Sequence, residues 1–267
     1  MECEALPQGS YGGRMTIDLP APSPLARLRE GSEEPPIFMA HGLGANAAQL
    51  LPLAGHIDVP HSIYGIEYLG SDGTTKPLSS IEGMARFYRD AIKQVQPVGP
   101  YFLIGYSLGG LVAFEMARQL AQTPGDIGLL LMVDSYPHLL ALTLGQQVRL
   151  VCRRAGRGTR AALGFGHRPL STRPPDAPAA AGNREVREAA ELALKRYRPS
   201  YYGGAVKFIR ASAASVFPED PVAVWAPLAA GFSMETVPGD HVEMITGHVK
   251  ILASAVSRHL TGALRGQ

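Results

Sequence analysis

Gly99-Pro100-Tyr101-Phe102-Leu103-Ile104-Gly105-Tyr106-Ser107-Leu108-Gly109-Gly110 decides the reading of this chain. Tyr101 to Ile104 is an unbroken apolar run after a proline, as in a strand buried on both faces. Leu108 to Ala121 reads as a helix. A serine set in G-x-S-x-G between a buried strand and a helix is a nucleophile elbow. The glycines admit a strained, closely packed turn. That turn pushes the hydroxyl out at the carboxyl edge of the sheet, beside a helix N-terminus whose free N–H groups favour negative charge.

Working outward, the same pattern repeats. Ile37 to Ala40 follows Pro35-Pro36, Ser62 to Ile66 is a second short apolar run, and Ile127 to Val133 follows Pro124-Gly125. Leu25 to Arg29 alternates and reads as an edge strand. Ile81 to Val95 places Ile81, Met84, Ala85, Tyr88, Ile92 and Val95 near helical spacing. Strand and helix alternate, which predicts an α/β fold with a mostly parallel, doubly wound sheet. The alternation stops after Pro137. Residues 138–198 read as a helical insertion, with a Pro-, Ala- and Gly-rich stretch from Gly164 to Gly182. Strands resume at Ala205 to Ile209 and near Phe232 to Val237, and a last helix covers Val249 to Leu260. Residues 1–24 read as a tail or linker and 25–267 as one domain; no internal repeat is present.

A nucleophilic serine needs a base, and the base needs an orienting acid. The elbow implies the α/β-hydrolase arrangement, whose chain order is Ser, then Asp or Glu, then His. His167, His241 and His248 follow Ser107. His241, in the turn Pro238-Gly239-Asp240-His241 after the last strand pattern, suits the base. His167 sits in the insertion, and His248 reads as a cap or surface residue. His41 precedes the serine and reads as a packed structural histidine. Two acids compete: Asp134 at the tip of Ile127–Val133, and Asp220 between two prolines after the next strand. Residue chemistry leaves Asp134 only slightly ahead, and Asp240 reads as a turn residue. The oxyanion donors are expected from the backbone N–H of Leu108 and of Leu43 in His41-Gly42-Leu43-Gly44, with Gly44 next.

Composition narrows the classes. The chain has 267 residues and a formal net charge of +2, too small to point to nucleic acid. No basic region followed by an apolar run opens the sequence, and Ile127 to Val133, the longest apolar stretch, is far short of the ~20 residues of a membrane span. Cys3 and Cys152 are far apart and give no expectation of a disulfide. A cytoplasmic location is expected. No ligand cluster has metal-site spacing, so neither metal nor bound cofactor is expected.

The stretch Val95-Gln96-Pro97-Val98-Gly99-Pro100-Tyr101 leading into the elbow, Val112-Ala113-Phe114-Glu115-Met116-Ala117 after it, Pro36 to Gly42, Tyr64-Gly65-Ile66, Tyr202-Gly203-Gly204 and Pro238 to His241 together resemble a family. It is that of the thioesterase domains of nonribosomal peptide, polyketide and fatty acid synthases. The resemblance runs from about Leu25 to Leu260 and is weakest in the insertion. It implies Asp134 as the acid and a lid over the site at 138–198. It also implies an acyl, polyketide or peptidyl thioester on the phosphopantetheine of a carrier protein as substrate. His41-Gly42-Leu43 stands where many members carry His-Pro. Arg153, Arg154, Arg157 and Arg160 are a docking patch for an acidic carrier or else a solvated helix face. Tyr201 and Tyr202 line a pocket or else pack on the core. A carboxylesterase or lipase acting on oxygen esters, an acyltransferase or macrocyclase, and a non-catalytic binding module with the same fold are the rival readings. Whether the chain is free-standing or an excised domain is left open.

Overall fold

A computed structural model describes residues 23–71, 73, 75–123, 125–148, 151–152, 181–213 and 220–266. The tail expected at 1–24 lies almost wholly outside these residues. So do Cys3, His167, most of the Pro-rich stretch and the arginine cluster from Arg153 to Arg160.

Seven strands form one sheet in the order β1-β3-β2-β4-β5-β6-β7. They are β1 (Leu25–Arg29), β2 (Glu33–Ala40), β3 (His61–Ile66), β4 (Tyr101–Tyr106), β5 (Ile127–Val133), β6 (Tyr202–Ala211) and β7 (Ala229–Val237). Only β1 pairs antiparallel, on the outer edge of β3; the remaining pairs are parallel. The helices are α1 (Leu51–His56), α2 (Ile81–Val95), α3 (Leu108–Leu120), α4 (Ala181–Arg196), α5 (Pro221–Trp225) and α6 (Val249–Arg265). This is the expected α/β-hydrolase class of sheet. Several strands outrun their apolar runs. β2 begins before Pro35-Pro36, where its register against β3 shifts between Glu33 and Ile37 because proline has no N–H to give the ladder. β4 continues through Gly105 and Tyr106, paired with Met132 and Val133. β6 runs from Tyr202 to Ala211 and β7 begins at Ala229, beyond the expected runs at Ala205 to Ile209 and Phe232 to Val237.

The central strands are apolar throughout because each face has its own core. Phe38, Leu103, Leu130, Met132 and Phe208 turn toward α2, α3 and α4. Ile37, Met39, Phe102, Ile104, Leu131, Val133 and Ile209 turn the other way, toward α1 and α6. Neighbours along a strand point to opposite faces, so a two-sided core requires an unbroken apolar run.

The lead into the elbow is explained by its turn. Gln96 Nε2 donates to Val98 O at 3.0 Å and to Pro100 O at 2.9 Å. The Tyr101 hydroxyl reaches back to Pro97 O at 3.1 Å. Gly99 passes so close to β5 that a Cβ there would lie 2.5 Å from Asp126 O. This segment fastens the end of α2 to the start of β4 and so sets where β4 delivers its last residue.

Within the expected insertion, α4 docks Val186, Ala190 and Ala193 into the core that α2 and α3 share. Glu115 of α3, itself buried, accepts from the Tyr197 hydroxyl at 3.1 Å, from Arg118 Nε at 3.0 Å and from Gln119 Nε2 at 3.1 Å. A buried carboxylate is tolerable only when so many donors surround it. On the same helix, next to Val186, Arg187 Cδ lies 3.9 Å from where a Gly44 Cβ would stand, beside the loop after β2.

Candidate active site

β4 runs straight into Ser107, whose backbone has φ 56° and ψ −122°. A side-chain-bearing residue in such a region costs about 1–3 kcal/mol and persists only when its surroundings impose it. Here Ser107 N–H donates to Val133 O at 2.9 Å, and Ser107 O accepts from Ser135 Oγ at 2.6 Å and Gly110 N at 3.1 Å. The glycines make this packing possible. A Cβ on Gly105 would lie 2.2 Å from Gly109 O, and one on Gly109 would lie 2.2 Å from Ala40 O. Ser107 precedes α3 without capping it through its side chain, which leaves Oγ available.

Ser107, His241 and Asp134 come together from three places in the chain. His241 Nε2 lies 3.1 Å from Ser107 Oγ, and His241 Nδ1 lies 2.7 Å from Asp134 Oδ2. A carboxylate only accepts, so Nδ1 carries the proton and the Nε2 lone pair faces the serine hydroxyl. Asp134 is the first residue past β5, buried and with φ 44°. Its N–H donates to Ile209 O at 2.8 Å, and its Oδ1 accepts from Ala211 N at 3.3 Å. His241 hangs from the turn after β7. Gly239 takes φ 91°, and Asp240 Oδ1 accepts from Val242 N at 2.8 Å and Glu243 N at 2.9 Å. Every contributing segment leaves a carboxyl end of a parallel strand, where open α/β sheets place ligands.

The loop after β2 closes the other side. A Cβ on Gly42 would lie 3.2 Å from Ser107 Cβ, so the Gly42–Leu43 backbone runs against the serine. Leu108 is the first residue of α3, and the N–H of such a residue has no partner within its helix. Two backbone donors from opposite sides of one serine are what an oxyanion hole requires. His41 is fully buried, its ring 4.3 Å from that of Tyr68 and its Nδ1 2.9 Å from Gly42 O. Burial, opposed by the Gly42 carbonyl, lowers its pKa to about 4. It is a packed neutral histidine within the wall of the loop.

The remaining candidates stand apart. Asp220 caps α5, accepting from Ala223 N at 3.1 Å. His248 precedes α6 and packs against Gly239. Tyr202 opens β6 and is buried, whereas Tyr201 is exposed. Sequence reading passes over Ser135, which braces the Ser107 carbonyl, and Trp225, whose Nε1 donates to Ser135 O at 3.0 Å. Trp225 is the single tryptophan of the chain and is fully buried. Among the described residues no group of three or more His, Cys, Asp or Glu is placed to hold a metal ion. No helix among them is long and apolar enough to cross a membrane.

Residues 35–147 match the model of the thioesterase domain, a segment that includes most of β2, the elbow, Ser107 and Asp134. This segment, under half of the chain, is similar to the thioesterase domain family. The dimodular nonribosomal peptide synthase of Bacillus subtilis is 34% identical to the chain over 135 residues, 51% of this chain and 5% of that protein. The chain thus spans a small fraction of such relatives, 2% in the case of malpibaldin synthetase from Mortierella alpina. Among solved structures, the NocB thioesterase domain from the nocardicin cluster, in covalent complex with a fluorophosphonate nocardicin G analogue, superposes with a TM-score of 0.66. It covers 88% of this chain and 99% of that one at 23% identity. The type II thioesterase YbtT of the yersiniabactin pathway gives a TM-score of 0.66, with 90% and 99% coverage at 16% identity. At such identities these two carry the fold alone.

Proposed function

We propose that the chain is a thioesterase releasing an acyl, polyketide or peptidyl group from the phosphopantetheine thioester of a carrier protein. The observation that carries this reading is the Ser107–His241–Asp134 relay, 3.1 Å and 2.7 Å long, set in thioesterase-family sequence. His241 Nε2 takes the proton of Ser107 as Oγ bonds to the thioester carbon. The N–H groups of Leu43 and Leu108 hold the oxyanion. The carbon–sulfur bond then breaks, and the thiol leaves with the proton from His241. In the second half His241 takes a proton from water, whose oxygen attacks the acyl-serine, and returns it to Ser107 Oγ as the carboxylic acid departs. Asp134 keeps the imidazole in the right tautomer throughout. Phosphopantetheine enters as part of the substrate, the carrier protein is the partner, and the cytoplasm is where such substrates are made. Residues 25–267 act as one hydrolase unit, with 138–198 as the lid to which α4 belongs.

The test compares one acyl group presented as a pantetheine thioester and as an oxygen ester, with Ser107→Ala as control. Thioester preference that disappears in Ser107→Ala supports the reading. Efficient oxygen-ester cleavage with poor thioester turnover replaces it with an esterase.

A further inference from the structure

Tyr106 stands between Gly105 and Ser107, and the mechanism above gives it no task. It closes β4 on the side of the sheet that α1 and α6 cover, where it is buried. Its hydroxyl donates to the backbone carbonyl of His241 at 2.6 Å, across 135 residues of sequence. Its ring lies nearly parallel to the His241 imidazole, with 4.9 Å between centroids and 20° between planes. One side chain therefore grips the same residue twice, at the main chain and at the face of the ring.

These contacts supply what the relay lacks. The bonds at Nδ1 and Nε2 both lie at the imidazole edge and together define an axis across the ring. They leave the ring freest to tilt about that axis, and a flat surface packed on its face opposes the tilt. We propose that Tyr106 is a positioning residue for His241: it ties the loop of the base to the strand that delivers the nucleophile and fixes the plane of the imidazole. The inference rests on the reading of His241 as the base. It gives the residue before the serine a job distinct from filling the core. The ring also offers its negative face to the imidazolium that forms when Nε2 takes the serine proton. Burial, with Asp134 and Asp240 adding to it, pushes the Tyr106 hydroxyl far above its ordinary range, so it stays a donor throughout turnover.

Two substitutions separate the two grips. Tyr106→Phe keeps ring and volume and removes the hydrogen bond; Tyr106→Leu removes both. The variants are assayed beside the parent and Ser107→Ala. The readouts are kcat and KM on an acyl-pantetheine thioester, the fraction of reactive serines by fluorophosphonate titration, the rate of that titration, and thermal midpoint. Tyr106→Phe is expected to lose about 3- to 10-fold in kcat per titrated site, the worth of one hydrogen bond. Tyr106→Leu is expected to lose roughly 30-fold or more, as ring contact is lost as well. KM stays within about twofold, and phosphonylation slows in step with kcat, because both depend on the base while substrate binding does not. Unchanged kcat per titrated site in both variants overturns the proposal, even if fewer sites titrate or the midpoint falls, because Tyr106 is then only a core residue. Turnover surviving in Ser107→Ala overturns the catalytic reading itself, whatever the tyrosine variants do. The isosteric Tyr106→Phe keeps the proposal testable if Tyr106→Leu does not fold.

Discussion

Replacing Asp134 by asparagine tests the relay where the structure is most constrained. The carboxyl is buried between two donors, His241 Nδ1 at 2.7 Å and Ala211 N at 3.3 Å. A carboxylate accepts from both; an amide cannot, since one of its ends is a donor. With the amide nitrogen toward His241, the imidazole must carry its proton on Nε2 and can no longer take the proton of Ser107. With it toward Ala211, two N–H groups collide in the core of the sheet edge. The first arrangement costs less and produces the wrong tautomer, for which a loss of about 10⁴ in kcat is the precedent in a triad of this kind, or ~5.5 kcal/mol. Asp220→Asn is the matched control. Asp220 caps α5 through Ala223 N, and asparagine caps as well as aspartate, so kcat stays within about twofold and stability within a few tenths of a kcal/mol. The assay is kcat at saturating acyl-pantetheine thioester, normalised to serines titrated with a fluorophosphonate. Equal losses in the two variants, or more than a tenth of parental kcat in Asp134→Asn, would refute the assignment.

Two further outcomes follow from packing and burial. Gly109→Ala sets a methyl 2.2 Å from Ala40 O, a backbone atom that cannot step aside, so α3 must shift. A loss of about 1–3 kcal/mol in urea titration is expected, together with reduced turnover, and an unchanged midpoint would show that the elbow has slack. His41, with a folded pKa of about 4 against 6.5 for the free side chain, ties stability to pH. The unfolded chain takes up that proton first, so its contribution is complete above about pH 6.5 and shrinks as pH falls toward 4, by about 3 kcal/mol. Urea titrations at pH 7 and pH 4 measure this, and His41→Asn should flatten the slope; an unaltered slope would mean that His41 is not buried as described.

The pattern of apolar runs marks the middle of the sheet well and its margins poorly, for a physical reason. β4 and β5 are covered on both faces, so burial writes itself into an unbroken run from Tyr101 to Ile104 and from Ile127 to Val133. β6 and β7 lie at the sheet's outer side, where pairing extends strands into residues such as Arg210 and Gly231 that carry no apolar signal. The site is legible to a different degree. Ser107 is marked by local chemistry, since the glycines around it are obligatory for close approach. Asp134 and His241 are not marked in this way. Each is a polar residue in the stretch after a strand, as Asp220 also is; chain order favours His241 and the family resemblance favours Asp134, and the pairing of β5 with β4 and β6 sets Asp134 beside the serine's strand. Tyr106 and Ser135 were invisible because their partners, the carbonyls of His241 and Ser107, are backbone atoms that no side-chain pattern reports.

The triad alone does not select a thioester over an oxygen ester, since both pass through the same acyl-serine. They differ in what leaves. A thiol, with a pKa near 8.5, departs as a fairly stable anion, whereas an alkoxide is far more basic and needs the proton of His241 as its bond breaks. Proton delivery is thus the step on which the two substrates place unequal demands, and it depends on the imidazole being held in plane between Asp134 and the scissile bond. Here that plane is fixed on three sides, by Asp134 at one edge, by Ser107 at the other and by Tyr106 across the face. A base so firmly held serves either leaving group. On the proposed thioesterase reading, discrimination must therefore come from residues beyond the triad, and α4 sets Arg187 beside the loop at Gly44 that follows β2.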